Sequence, residues 1–112
     1  MKNRGNGRVK ERATRALVVE DCRTVRRILR EYLSNLEIQS LEAGNGCEGL
    51  EVLEKLEPDG WPDFVLVDWD MPVMNGAEFI REVRSREEYA DVLLIVVTTQ
   101  APGECLRHAM EA

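Results

Sequence analysis

At 112 residues, 44% hydrophobic and 32% charged, the chain has room for one compact domain and not for two. No apolar run approaches the roughly 20 residues that span a bilayer, and the polar, basic N-terminus lacks the apolar stretch of a secretory signal. Residues 1–15 carry Lys2, Arg4, Arg8, Lys10, Arg12 and Arg15 against Glu11, a net of +5, so the overall −6 leaves −11 on residues 16–112, an acidic body that disfavours nucleic acid as its ligand.

The basic lead, with Gly5 and Gly7, reads as a flexible tail over 1–15, and 16–112 as the domain. Ala16–Glu20 is a short β-branched strand. After it Val25, Ile28, Leu29, Tyr32, Leu33 and Leu36 recur at spacings of three and four, one face of a helix, with Arg23, Arg26, Arg27 and Arg30 largely on the solvated side. Ile38–Glu42 is a second strand. Asn45 with Glu48 has the form of a capping box for a second helix, which turns Leu50, Leu53 and Leu56 inward until Pro58-Asp59-Gly60 breaks it. Gly49 inside that helix costs about 1 kcal/mol relative to Ala.

Phe64–Asp68 is a third, fully apolar strand. A loop with Pro72 and Asn75-Gly76 leads to a third helix with Phe79, Ile80 and Val83 on one face. Leu93–Val97 is a fourth strand without polar alternation, and Pro102 suits the first turn of a last helix. Repeating strand–helix units with continuously apolar strands predict a parallel sheet covered on both faces. Cys22, Cys47 and Cys105 form no C-x-x-C or Cys/His pattern, so they read as reduced thiols of a cytoplasmic protein. His108, the single histidine, makes neither a zinc site nor a triad and reads as a surface residue.

In such a sheet ligands bind beyond the carboxyl ends of the strands, where the strand order reverses. Strand one ends in Glu20-Asp21, strand three in Asp68, and strand four runs into Thr98-Thr99. Taken singly, each of these residues is more simply a helix cap or a solvated loop residue; their joint arrival at one edge is the signal. Clustered carboxylates repel one another and need a cation, and an oxygen-only donor set favours Mg2+ or Mn2+ over zinc. Magnesium binds phosphate beside carboxylate, and an Asp can attack phosphorus.

At these residues the chain resembles the receiver domains of two-component response regulators. The matching segments are LVVED (17–21), VLVDWDMPVMNG (65–76) and IVVTT (95–99), within a resemblance that covers residues 16–112. It implies a flavodoxin-like (CheY-like) doubly wound parallel sheet with strand order 2-1-3-4. It also implies Asp68 as phosphoacceptor, Asp21 as direct metal ligand, Glu20 acting on the metal through water, and the backbone carbonyl of Asp70 as a further ligand. Thr98 would be the switch hydroxyl and Thr99 would lie beside the phosphate. Partners would be a histidine kinase or phosphotransfer protein and a downstream protein target, with no turnover chemistry beyond the domain's own phosphoryl transfer.

The family's fifth strand and helix, and the lysine at that strand's end, have no counterpart here, since no Lys follows Lys55. This predicts an exposed apolar fourth strand, uncovered core beside the first helix, and self-association or strand exchange. It also leaves open a phosphorylation-incompetent remnant or interaction module. A haloacid-dehalogenase-like phosphatase is a weaker alternative: Asp68-Trp69-Asp70 is a D-x-D, but it lies in the third strand and Met71-Pro72 follows it.

Overall fold

A computed structural model describes residues 13–97. The expected tail up to residue 12, the helix after Pro102, and Thr98, Thr99, Cys105 and His108 lie outside the described residues. In chain order the elements are β1 (Arg15–Val19), α1 (Arg23–Asn35), β2 (Gln39–Ala43), α2 (Gly46–Lys55), β3 (Phe64–Asp68), α3 (Gly76–Arg84) and β4 (Leu93–Val97). Single 3-10 turns at Pro58–Gly60 and Glu87–Tyr89 lead into the last two strands. All strand pairs are parallel, as the apolar strands predict, and the order is β2-β1-β3-β4, as the family resemblance implies.

Period-2 alternation divides the sheet into two faces. Leu17, Val19, Val65 and Val67 pack with Leu50, Leu53, Phe79 and Val83, so α2 and α3 cover one face. Ala16 and Val18 pack with Leu33, flanked by Leu29, Phe64 and Leu66, so α1 covers the other. β1 is buried on both faces, which is why it tolerates no polar residue between Ala16 and Val19. It begins at Arg15 rather than Ala16, because Arg15 pairs with Gln39 of β2; its backbone N–H also donates to Asp63 Oδ2 at 2.9 Å and its guanidinium to the Gly60 carbonyl at 2.9 Å.

The apolar stripe of α1 is only partly used. Leu33 is buried and Leu29 packs beside it, but Tyr32 and Leu36 are 65% and 68% exposed, and Ile28 is exposed as well. These three form an i, i+4, i+8 row that lies off the part of α1 packed against β1 and β2. Leu93, Ile95 and Val96 of β4 are also exposed, and β4 is an outer strand among the described residues.

Gly49 has a packing reason that helix propensity hides. A Cβ there would lie 2.8 Å from Phe79 Cε1 and 3.1 Å from Val19 Cγ2, where α2 meets α3 and the sheet. Gly49→Ala is therefore expected to destabilise by about 1–3 kcal/mol in urea unfolding, overpacking outweighing the helix-propensity gain; a stabilised variant would show that Phe79 yields freely.

Among the described residues, the expectation of reduced thiols is corrected at Cys22. Cys47 is free, but Cys22 is disulfide-bonded. Sequence spacing does not report which thiols approach in space.

Candidate functional site

The β1–β3 register pairs Val19 with Val67, so Glu20 and Asp68 come next as neighbours on adjacent strands. Between these strands the sheet order reverses, which opens a crevice at their carboxyl ends. Asp21 follows on the turn into α1. Carboxylate oxygens of Glu20, Asp21 and Asp68 all lie within 4.8 Å of one another. Glu20 is 1% exposed and Asp68 2%, while Asp21 faces solvent.

Burial of two acids beside a third sets the electrostatics. Glu20 Oε2 accepts the Cys22 backbone N–H at 3.0 Å, whereas the buried Oε1 has no hydrogen-bond donor among the described residues. Burial above all pushes the Glu20 carboxyl up from 4.5 to about 8, the Cys22 N–H opposes this, and the negative charges of Asp68 and Asp21 add to it. The contact with Asp21 becomes a hydrogen bond only when one of the two carboxyls holds a proton. With both ionised, Oε1 needs a cation or a water.

The backbone beneath Asp68 is set by Gly76. A Cβ at Gly76 would lie 2.6 Å from the Asp68 carbonyl oxygen and 2.7 Å from Trp69 Cα, so only glycine lets α3 begin against the end of β3. The Gly76 N–H donates to the Trp69 carbonyl at 3.0 Å. A full capping box starts this helix: Asn75 Oδ1 accepts the Glu78 N–H at 2.9 Å and Glu78 Oε1 accepts the Asn75 N–H at 2.9 Å. The sequence carries that signal in Asn75 and Glu78, but the box expected at Asn45 is only half made. Asn45 Oδ1 caps the Glu48 N–H, while Glu48 Oε1 takes the Gly44 N–H at 2.7 Å instead.

The loop between β3 and α3 stores strain. Val73 has φ 70, and the Met74 N–H donates across it to the Pro72 carbonyl at 2.7 Å. This is the rarer, strained form of the γ-turn, occupied here by a β-branched residue.

Of the residues expected at the site, the fold brings together Glu20, Asp21 and Asp68. Asp70 is exposed two positions beyond Asp68, and its side chain is not in the carboxylate group. Thr98 and Thr99 lie outside the described residues. Arg26 corrects the reading of the α1 arginines as a solvated face: its guanidinium donates to the Glu20 carbonyl at 2.7 Å and to Glu42 Oε1 at 3.2 Å. Helical spacing cannot show this, because the contact depends on how α1 lies across β1 and β2.

The fold and the acid group together define a flavodoxin-like α/β domain with a carboxylate pocket at its switch point. Residues 16–112 match the response regulator receiver domain family, and the chain belongs to that family. A chemotaxis protein CheY homologue of Campylobacter jejuni is 40% identical over 85 residues, which is 75% of this chain and 63% of the relative. The sensor histidine kinase CheAY of Helicobacter pylori is 44% identical over 84 residues, 75% of this chain and 10% of the kinase. The chain thus spans less than two thirds of either relative.

Among solved structures, chemotaxis protein CheY4 of Vibrio cholerae superposes with TM-score 0.71 at 25% identity, covering 89% of this chain and 80% of that one. The receiver domain of a Pseudomonas aeruginosa sensor histidine kinase superposes with TM-score 0.71 at 23% identity, covering 90% and 80%. The latter structure holds a magnesium ion coordinated in its active-site cleft.

Proposed function

We propose that this receiver domain accepts a phosphoryl group on Asp68 with the help of a divalent cation, and signals through protein–protein contacts. The observation that carries the reading is the convergence of Glu20, Asp21 and Asp68 within 4.8 Å, with a buried Glu20 oxygen that no donor among the described residues satisfies. The donor set fits a hard cation: all its ligand atoms are oxygens, which favours Mg2+ or Mn2+. Ligand atoms grouped within 4.8 Å can share one ion directly or through water; by resemblance Asp21 and Asp68 are the direct ligands and Glu20 reaches through water. The Asp70 backbone carbonyl is the fourth proposed ligand.

A bound cation would offset the carboxylate charge and that of the incoming phosphoryl group. Asp68 attacks phosphorus with a carboxylate oxygen; a new O–P bond forms as the bond from phosphorus to the donor's imidazole nitrogen breaks, and the freed imidazole keeps the electron pair. The near-complete burial of Asp68 limits water's access to the acyl phosphate. By resemblance, the Thr98 hydroxyl donates to a phosphoryl oxygen and Thr99 lies beside it. The donor is a histidine kinase or a phosphotransfer protein, the readout is a downstream protein, and the setting is cytoplasmic. Among the described residues no helix is long and apolar enough to cross a membrane.

The test uses acetyl phosphate as donor, with intact mass as readout. One phosphoryl adduct per chain, formed with Mg2+ and absent without it, is the expected result. Folded protein that takes no adduct would favour the phosphorylation-incompetent interaction module. Self-association is part of the same proposal, because β4 presents Leu93, Ile95 and Val96 to solvent and α1 presents Ile28, Tyr32 and Leu36. Light scattering should show an apparent mass that rises with concentration; a constant monomer mass would remove this part.

A further inference from the structure

We infer that Arg26 is a positioning residue for the acid pocket, holding the Glu20–Asp21 peptide from which two of the three carboxylates project. The inference rests on the reading of the pocket as a cation site. β1 ends at Val19, and past it the Glu20 N–H still bonds to the Ala43 carbonyl of β2 at 3.0 Å. The Glu20 carbonyl points the other way and takes the Arg26 guanidinium at 2.7 Å, the short distance of a charge-assisted bond. Arg26 reaches it from the first turn of α1, where its own N–H bonds to the Cys22 carbonyl at 2.8 Å.

The same guanidinium is fixed from a second side. Its Nε donates to Glu42 Oε1 at 3.2 Å, and Arg30 donates to Glu42 Oε2 at 3.1 Å. Glu42 lies opposite Val18 in the β1–β2 register, two residues before Glu20. One planar group thus ties the end of β1 to β2 and to α1, which a lysine's point charge could not do in both directions at once. Both strand-end partners of Glu20, the Ala43 carbonyl and the Arg26 guanidinium, act on its backbone, while its carboxylate takes the Cys22 N–H on Oε2 and leaves Oε1 for the pocket. Arg26 therefore bears on the site through the geometry of the peptide rather than through contact with the ion.

Partners that orient metal ligands without touching the metal typically contribute 10–100-fold to affinity. Mg2+ titrations of the full chain followed by tryptophan fluorescence report on the pocket, since Trp69 adjoins Asp68 and is 47% exposed. Arg26→Gln is expected to weaken Mg2+ binding by about 10-fold or more, Arg26→Lys to restore part of it, and Glu42→Gln to change it less than twofold, since the bond to the Glu20 carbonyl remains. Urea midpoints without Mg2+ are measured on all variants, so that a general loss of stability is seen separately. Wild-type Mg2+ affinity in Arg26→Gln, or affinity losses in Arg26→Gln and Glu42→Gln that merely track their stability losses, would overturn the inference. Wild-type protein that binds no Mg2+ would instead overturn the cation site itself.

Discussion

Raising the pH from about 5 to about 9 destabilises the magnesium-free domain by several kcal/mol, and Glu20→Gln removes most of that loss. The Glu20 carboxyl is raised from 4.5 to about 8 in the folded chain, chiefly by burial. The folded state therefore holds this proton more tightly than the unfolded state does. Its stabilising contribution is complete below about pH 4.5 and drains away as the pH climbs through about 8. At about 1.4 kcal/mol per pH unit the change is on the order of several kcal/mol, a large share of a small domain's stability. Gln keeps the shape and removes the titration. Urea unfolding across this range, with chelator present, is the measurement. A flat wild-type profile, or an equal slope in Glu20→Gln, would show that Glu20 is not the group responsible. Mg2+ works against the slope, because an ion that needs the ionised carboxylate binds more tightly as the pH rises.

Asp68→Asn is expected to abolish the phosphoryl adduct altogether, whereas Asp68→Glu should slow its formation by about 100-fold or more, since a misplacement of roughly 1 Å costs that much. The reason lies in how little room the site leaves. Asp68 is fully buried at the end of β3, and Gly76 brings α3 so close to its carbonyl that a Cβ would sit at 2.6 Å. A carboxylate carried one methylene further cannot keep both its distance to Asp21 and its line of attack on phosphorus. Adduct formation followed by intact mass, with peptide mapping of the modified residue, decides the matter. An Asn variant that accumulates the adduct at the wild-type rate would place the acceptor elsewhere.

Much of this fold is legible in the residues because its signals are local. The continuous apolar runs at 16–19, 64–67 and 93–97 announce buried parallel strands, and the three- and four-residue spacing of Leu50, Leu53, Phe79 and Val83 announces the helices that cover one face. Asp68 was legible for a different reason, since an acid closing a fully apolar strand before Met71-Pro72 is conspicuous in chain order. The α1 stripe is only partly covered: Ile28, Tyr32 and Leu36 carry the period of a core face but are exposed, in line with the uncovered core expected beside the first helix. Period reports which residues share a side of a helix, and says nothing of how much of that side a neighbour covers.

By itself, then, the sequence determined the alternation of strands and helices, the order in which acids arrive at one sheet edge, and the family to which that pattern belongs. Tertiary structure alone decided the rest. It set the 4.8 Å grouping of three carboxylates, the Glu20 oxygen unsatisfied among the described residues, the backbone clash that requires glycine at position 76, the tight packing against Phe79 at position 49, and the reach of Arg26 to the Glu20 carbonyl. These are distances between residues far apart in the chain or on different elements. They follow from the β1–β3 register and from how the helices lie across the sheet, which no local spacing encodes.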